Sequence, residues 1–240
     1  MAQAQISTPS QLLTFEEYQN YQGEAGIRYE LFRGQLIPMA TPSGLHTNIC
    51  EFLVYQFQRY FARKNLFWVA KTDAGVRTEF DSSRIPDVIG CSQNLWERVC
   101  DRPGAGILDF EEVPLLVVEV VSDNWRQDYI RKRAEYALIE VPEYWIVDPE
   151  RHRVWVLTNP ESEDSYDRVE FRAEHRIQSA QLPDLALSVA QVLAPPLVEE
   201  LIKQEATERQ DLQQQLAAER QKSERLADQL RQLESEKGIP

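Results

Sequence analysis

PLLVVEVVS, residues 114–122, is the stretch that decides the fold. It is a near-continuous apolar run rich in β-branched residues, bounded by Pro114 and Ser122. That is the pattern of a strand buried on both faces, as in the centre of an α/β sheet. Glu119 interrupts it. Alternation puts Leu115, Val117, Glu119 and Val121 on one face. A carboxylate there is costly unless it meets a cation or a metal. It reads either as a Glu at the strand's end meeting an Arg, or as a metal ligand at a strand's carboxyl end.

Elements can be read outward from this strand. A helix is expected over 126–139, then strands at EYWIVD (143–148) and RVWVL (153–157), with a turn containing Pro149 between them. Upstream, 84–91 and 66–79 read as strands and 94–109 as irregular. A long helix is expected from about 46 to 64, with Ile49, Leu53, Phe57 and Tyr60 at helical spacing. Residues 27–39 read as a hairpin turning at Gly34. Thr14 and Glu17 form a capping-box signature for a short helix to about residue 22, and residues 1–10 are expected to be disordered.

From Leu197 the composition changes, after Pro195-Pro196. Val198, Ile202, Leu212, Leu216, Leu226, Leu230 and Leu233 fall on a and d heptad positions, while Glu205, Arg209, Glu219 and Ser223 occupy the other four in that register and break the apolar pattern. The tail, 197–237, is therefore expected to be a coiled-coil helix contributing to a homo-oligomer, with a dimer as the expected state; the alternative is a long solvated helix. The organisation is one mixed α/β domain over 11–190 followed by that tail.

The chain carries a formal net charge of −13 over 240 residues. The segment 197–240 holds ten acidic and seven basic residues, so −10 belongs to the rest. This argues against tight nonspecific DNA binding, which draws on a basic footprint. It does not exclude a nuclease, whose site carboxylates are acidic by necessity. No apolar run is long enough to span a bilayer, and no secretory signal is evident. Cys50, Cys91 and Cys100 are an odd, widely spaced set that reads as reduced packing thiols, so a cytoplasmic protein is expected.

Two more residues complete a chemical set with Glu119. Asp87 follows Pro86, whose ring removes a ladder donor beside a bend; alone, the dipeptide reads more readily as a turn. Lys132 shares a helical face with Asp128, Glu135 and Tyr136. Alone, Asp128 and Lys132 are an i,i+4 ion pair. Together, an Asp near one strand, a Glu inside the next and a Lys on the following helix can converge. Two hard carboxylates suit Mg²⁺, with Mn²⁺ the other candidate, and a nearby ammonium suits charge developing on a phosphate.

This arrangement resembles the bacterial restriction-endonuclease-like family of the PD-(D/E)XK nuclease superfamily. The resemblance rests on YELFRGQL (29–36), PSGLH (42–46), IPDV (85–88), LVVEVVS (116–122), Asp128 with Lys132 and Tyr136, and EYWIVDP (143–149). It implies a restriction-endonuclease-like mixed sheet core flanked by helices. It implies Asp87 and Glu119 as metal-binding acids, Lys132 as the catalytic lysine supplied from the helix in place of Val121, and Glu30 as a third acid. His46 matches a recurrent histidine, although a lone histidine is more often structural; Tyr136 is expected to order the helix face. The chain departs from the family's usual pattern at Phe32-Arg33-Gly34, at Asp123-Asn124-Trp125 and at Glu140-Val141-Pro142.

The expected activity is metal-dependent hydrolysis of DNA phosphodiesters. The alternatives are an inactive nuclease-like scaffold that oligomerises through its tail, and a different phosphate hydrolase on the same site. Arg126, Arg131 and Arg133, with Arg59, Arg63 and Lys64, form a candidate DNA face that could equally be solvated charge.

Overall fold

The computed structural model describes residues 12–122 and 124–236. The expectation of disorder over 1–10 lies outside them, as does residue 237 of the tail. The chain falls into two units, divided after Pro195.

The first unit opens with α1 (Phe15–Gln19), started by the anticipated capping box: Thr14 Oγ1 accepts from Glu17 N–H, and Glu17 accepts from Thr14 N–H. Strands β1 (Tyr29–Phe32) and β2 (Gln35–Pro38) form the expected hairpin. Its two-residue turn places Arg33 and Gly34 at φ 48° and 80°. That is the primed geometry whose twist suits a hairpin. Helix α2 (Gly44–Arg63) begins two residues before the expected start, because Ser43 caps it by accepting from His46 N–H. Its stripe Ile49, Leu53, Phe57 and Tyr60 is buried.

Two long strand expectations need correction. Residues 66–79 divide into β3 (Trp68–Lys71) and β4 (Gly75–Glu79) around Asp73, whose φ is 58°. Residues 84–91 divide between β5 (Ser82–Arg84) and β6 (Val88–Ser92). In both cases the two pieces belong to different sheets, and alternation alone does not reveal a sheet switch. Ile85-Pro86-Asp87 is the second switch, at the proline that cannot donate to a ladder. A third correction is α3 (Gln93–Cys100), which occupies much of a stretch read as irregular; Ser92 caps it by accepting from Leu95 N–H.

After β7 (Ile107–Leu108) comes β8 (Leu116–Val120), buried at every residue as its composition requires. The expected helix follows, but its first turn and a half is π-helical, Gln127–Lys132, before α4 (Arg133–Leu138). Strands β9 (Glu143–Asp148) and β10 (Arg153–Thr158) pair antiparallel, with β11 (Asp167–Arg172) on the far side of β10. β12 (Arg176–Ile177), β13 (Leu187–Ser188) and α5 (Val189–Leu193) close the unit.

The main sheet has the order β11-β10-β9-β8-β6-β3 and the second sheet β2-β1-β5-β4-β7. In the main sheet β8 and β9 pair parallel. Parallel neighbours need a crossover, and the π-helical segment with α4 supplies it. Helix α2 packs on the main sheet, with Phe57 edge-on to Trp145 at 5.5 Å. Tyr136, Tyr144, Val117 and Ile146 share a separate core cluster with Ile89 and Cys91.

The second unit is α6 (Val198–Glu236), 39 residues. At 1.5 Å per residue it is about 58 Å long. Ile202, Leu212, Leu216, Leu226, Leu230 and Leu233 are all exposed on it.

Candidate active site

Asp87 and Glu119 are brought together by strand register. Val88 pairs with Val118, so the next step places Asp87 opposite Glu119. Asp87 is fixed at that edge: its Oδ2 accepts from Val120 N–H at 2.7 Å, and its Oδ1 lies 2.9 Å from His46 Nε2. His46 reaches it from the first turn of α2, so a lone histidine in the sequence has a definite partner in space.

Glu119 is 2% exposed. Its Oε2 accepts from Lys132 Nζ at 2.8 Å and its Oε1 from the Tyr136 hydroxyl at 2.7 Å. The partner is therefore a lysine and a tyrosine rather than the arginine that a simple ion-pair reading would supply. Lys132 also lies 3.5 Å from Glu30 Oε1 and 3.5 Å from Asp128 Oδ1. Asp128, Lys132, Glu135 and Tyr136 are all buried, as the expected shared face requires. They achieve it across a π-to-α junction at Lys132 rather than on a regular α-helix. Short π segments recur at functional sites.

Glu30 links this group to a second one. Its Oε2 accepts from Arg84 at 2.9 Å and its Oε1 from Ile85 N–H at 3.2 Å. Arg84 also donates twice to Glu135, through Nε and one terminal nitrogen, each at 2.6 Å, and Thr78 donates to Glu135 at 3.2 Å. Arg84 and the structural role of Glu135 were not visible in sequence, because an arginine after two serines carries no mark of burial.

The electrostatics follow from this crowding. Glu30, Asp87, Glu119, Asp128 and Glu135 are five carboxyl groups set around two cations, Lys132 and Arg84, so that with every acid ionised the formal excess would be three negative charges. Burial pushes Glu119 well above the usual carboxylate range; Lys132 opposes this, and Asp87, Asp128 and Glu30 reinforce it. Burial likewise raises Asp128 to about 6, with Lys132 opposing and Asp87 and Glu30 adding. Burial would lower Lys132, but Glu119, Glu30, Asp128 and Asp87 outweigh it and hold the ammonium charged. Burial would raise Glu30, yet Lys132 and Arg84 together hold it below the ordinary range.

The residues considered for DNA contact do not behave alike. Arg133 donates to the Asp164 carbonyl and Lys64 pairs with Asp184 at 3.0 Å. Arg131 lies over the Phe32 ring at 4.4 Å. Arg126 stacks on Trp125 at 4.6 Å, and Arg151 approaches the same ring at 5.3 Å. Arg153 and Arg168 approach Trp155 at 4.7 and 4.3 Å. Trp155 is opposite Ile146, which is opposite Glu119, so all three lie in one row across the main sheet. The arginine-rich aromatic surface is thus on the same sheet face as the carboxylates. Sequence reading selected only Arg126 from it, because the others come from different strands and the turn before β10.

Among the described residues, no helix is long and apolar enough to cross a membrane. A family model described as "Uma2: Putative restriction endonuclease" matches residues 15–190. Among solved structures, the chain is similar to a nuclease, described as putative, belonging to DUF820 from Anabaena variabilis. The TM-score is 0.59 at 18% identity, covering 76% of this chain and 98% of that one. At that identity the likeness establishes a shared fold, the restriction-endonuclease-like mixed α/β core. No curated protein matches the chain.

Proposed function

The chain belongs to the family described as "Uma2: Putative restriction endonuclease", and on that premise we propose that it is a Mg²⁺-dependent endonuclease hydrolysing DNA phosphodiesters at Asp87, Glu119 and Lys132. The observation that carries this reading is the convergence of these three groups from β8, the β5–β6 switch and the π–α junction. Nothing about chain folding requires an acidic excess around a buried lysine; a divalent cation would relieve it.

The donor set fits such an ion. Asp87 and Glu119 offer hard oxygens, and each of their four oxygens has one hydrogen bond, which leaves further lone pairs. Bound Mg²⁺ would supply charge neutralisation on the phosphate and a more acidic water. Val120 N–H and His46 hold Asp87 in place, while Tyr136 orients Glu119. Lys132 presents a persistent ammonium to charge that develops on the phosphate oxygens. Glu30 and Asp128 keep that ammonium protonated.

DNA as the substrate accords with the family description and with the arginine–aromatic surface. Arg126 and Arg168, stacked on Trp125 and Trp155, supply cations on this face, while Arg151 and Arg153 beside them are paired with Asp148 at 3.0 Å and Glu170 at 3.1 Å. Local cations suffice for phosphate contacts even where the total charge is negative. The exposed leucines of α6 fit a homodimeric coiled coil, which sedimentation of the full chain beside Leu216→Glu would test.

The decisive experiment is nicking of supercoiled plasmid with Mg²⁺ or Mn²⁺, wild type beside Asp87→Ala. Metal-dependent nicking lost in the variant is the expected result. A folded wild type that neither cleaves nor binds Mg²⁺ would overturn the nuclease reading and favour a scaffold role.

A further inference from the structure

A set of softer donors lies beside the carboxylates. His46 and Cys50 are four residues apart on α2, hence on one face of the helix. A ring nitrogen of His46, the Cys50 sulfur and a carboxylate oxygen of Asp87 all lie within 4.8 Å of one another. Ser43 caps the turn that carries His46, and His46 Nε2 is 2.9 Å from Asp87 Oδ1. Cys50 is buried and in no disulfide. Its thiol is pushed up by burial, with Asp87 and Glu119 adding, so it is protonated when no cation is bound.

We propose that His46, Cys50 and Asp87 form a site for a thiophilic divalent cation of the Zn²⁺ class, and that its occupation inhibits hydrolysis by withdrawing Asp87 from Mg²⁺. The inhibitory half rests on the nuclease reading above; the binding half does not. One nitrogen, one sulfur and one oxygen with an open fourth position is a donor set that zinc uses. Bonds of about 2.0–2.3 Å place tetrahedral ligands roughly 3.3–3.8 Å apart, so a pair at the 4.8 Å limit closes by about 1–1.5 Å and the His46–Asp87 pair at 2.9 Å opens by a few tenths of an ångström. On binding, the sulfur–metal bond forms and the thiol proton leaves to solvent, the His46–Asp87 hydrogen bond opens with its proton moving to the other ring nitrogen, and the carboxylate excess offsets the incoming charge. Thiolate and imidazole select Zn²⁺ over Mg²⁺, whereas Asp87 with Glu119 offers only oxygen and selects Mg²⁺. Both sets need Asp87, so the two ions compete for it.

The test uses the full chain without nucleic acid and Co²⁺ as the probe. A near-ultraviolet sulfur-to-cobalt charge-transfer band is expected in the wild type, bleached by Zn²⁺ and absent in Cys50→Ala. Cys50→Ser serves the same purpose should the alanine variant fail to fold, and Cys91 and Cys100 remain as internal controls in both. In cleavage assays, Zn²⁺ should raise the Mg²⁺ needed for half-maximal rate by about tenfold in the wild type and by less than about twofold in Cys50→Ala. No band in the wild type, or a band that persists without Cys50, overturns the site. Equal Zn²⁺ sensitivity with and without Cys50 overturns the inhibition. A band with no Mg²⁺-dependent cleavage would retain the zinc site and sink the nuclease reading instead.

Discussion

Two buried ionic groups sit side by side in the first unit and are built for opposite purposes. Around Arg84, each carboxylate oxygen of Glu135 receives a guanidinium donor at 2.6 Å, and Glu30 takes a third. The fork of the guanidinium matches the carboxylate and leaves little to react. Around Lys132, one ammonium is shared by Glu119, Glu30 and Asp128, with Asp87 close enough to raise its pKa. This group is undercompensated, and two of its acids are pushed above their usual range. Similar residue types thus give a fastening in one place and a cluster of crowded carboxylates around a single ammonium in the other. Glu30 touches both.

The contrast can be broken most forcefully at Arg84. Arg84→Met should cost about 3–5 kcal/mol in urea unfolding, because it strands two buried carboxylates. A loss below about 1 kcal/mol would mean that the Arg84 group is no more a fastening than its neighbour. Asp87→Asn should do the reverse. Hydrolysis and Mg²⁺ affinity should both collapse, the rate by about a thousandfold, while stability stays within about 1 kcal/mol. A calorimetric Mg²⁺ titration that the variant leaves unchanged would remove Asp87 from the metal site.

Lys132→Met sharpens the same point. It should lower the rate by about a hundredfold with Mg²⁺ affinity kept or increased, since a competing cation is gone. Normal cleavage by this variant would reduce Lys132 to an ion-pair partner.

The undercompensated group also predicts a pH signature. Asp128 is raised from 3.8 to about 6 on folding. In that window the folded chain holds a proton that the unfolded chain has released. The stabilisation is complete below the unfolded value and is lost as pH rises through about 6. Metal-free wild type should therefore lose thermal stability between about pH 4 and pH 6 through this group, and Asp128→Asn should flatten that slope. Identical slopes would show that Asp128 does not titrate in the window. The smallest effect is expected at the surface. Arg126→Ala with Arg168→Ala should weaken DNA binding modestly and reduce its salt slope by about 1–2, without changing the rate at saturation.

Much of the fold was legible because burial leaves marks in composition. LVVEV could hardly be anything but a central strand, and it is buried throughout. The hairpin was announced by Gly34, and the stripe on α2 by its spacing. What alternation could not show was where a strand leaves one sheet for another. Residues 66–79 and 84–91 are each divided between the two sheets, the first at the turn around Asp73 and the second at Pro86. Helix α3 was hidden in the same way: it is short, its cap is a single serine, and its partly buried Trp96 packs beside Leu95 and Val99.

The sequence by itself singled out three charged residues that the structure brings together: a glutamate too costly for its strand, an aspartate at a proline bend, and a lysine on the helix that follows. Such residues declare themselves because a charge in an apolar context is improbable without a partner. Only the tertiary structure decided who those partners are. Lys132 chose Glu119 rather than remaining with Asp128 alone, Arg84 took Glu135, and His46 with Cys50 came to Asp87 across 41 and 37 positions of chain. Partnerships of this kind depend on register and on one π-helical turn. Both are set by packing the whole sheet, not by any local pattern of residues.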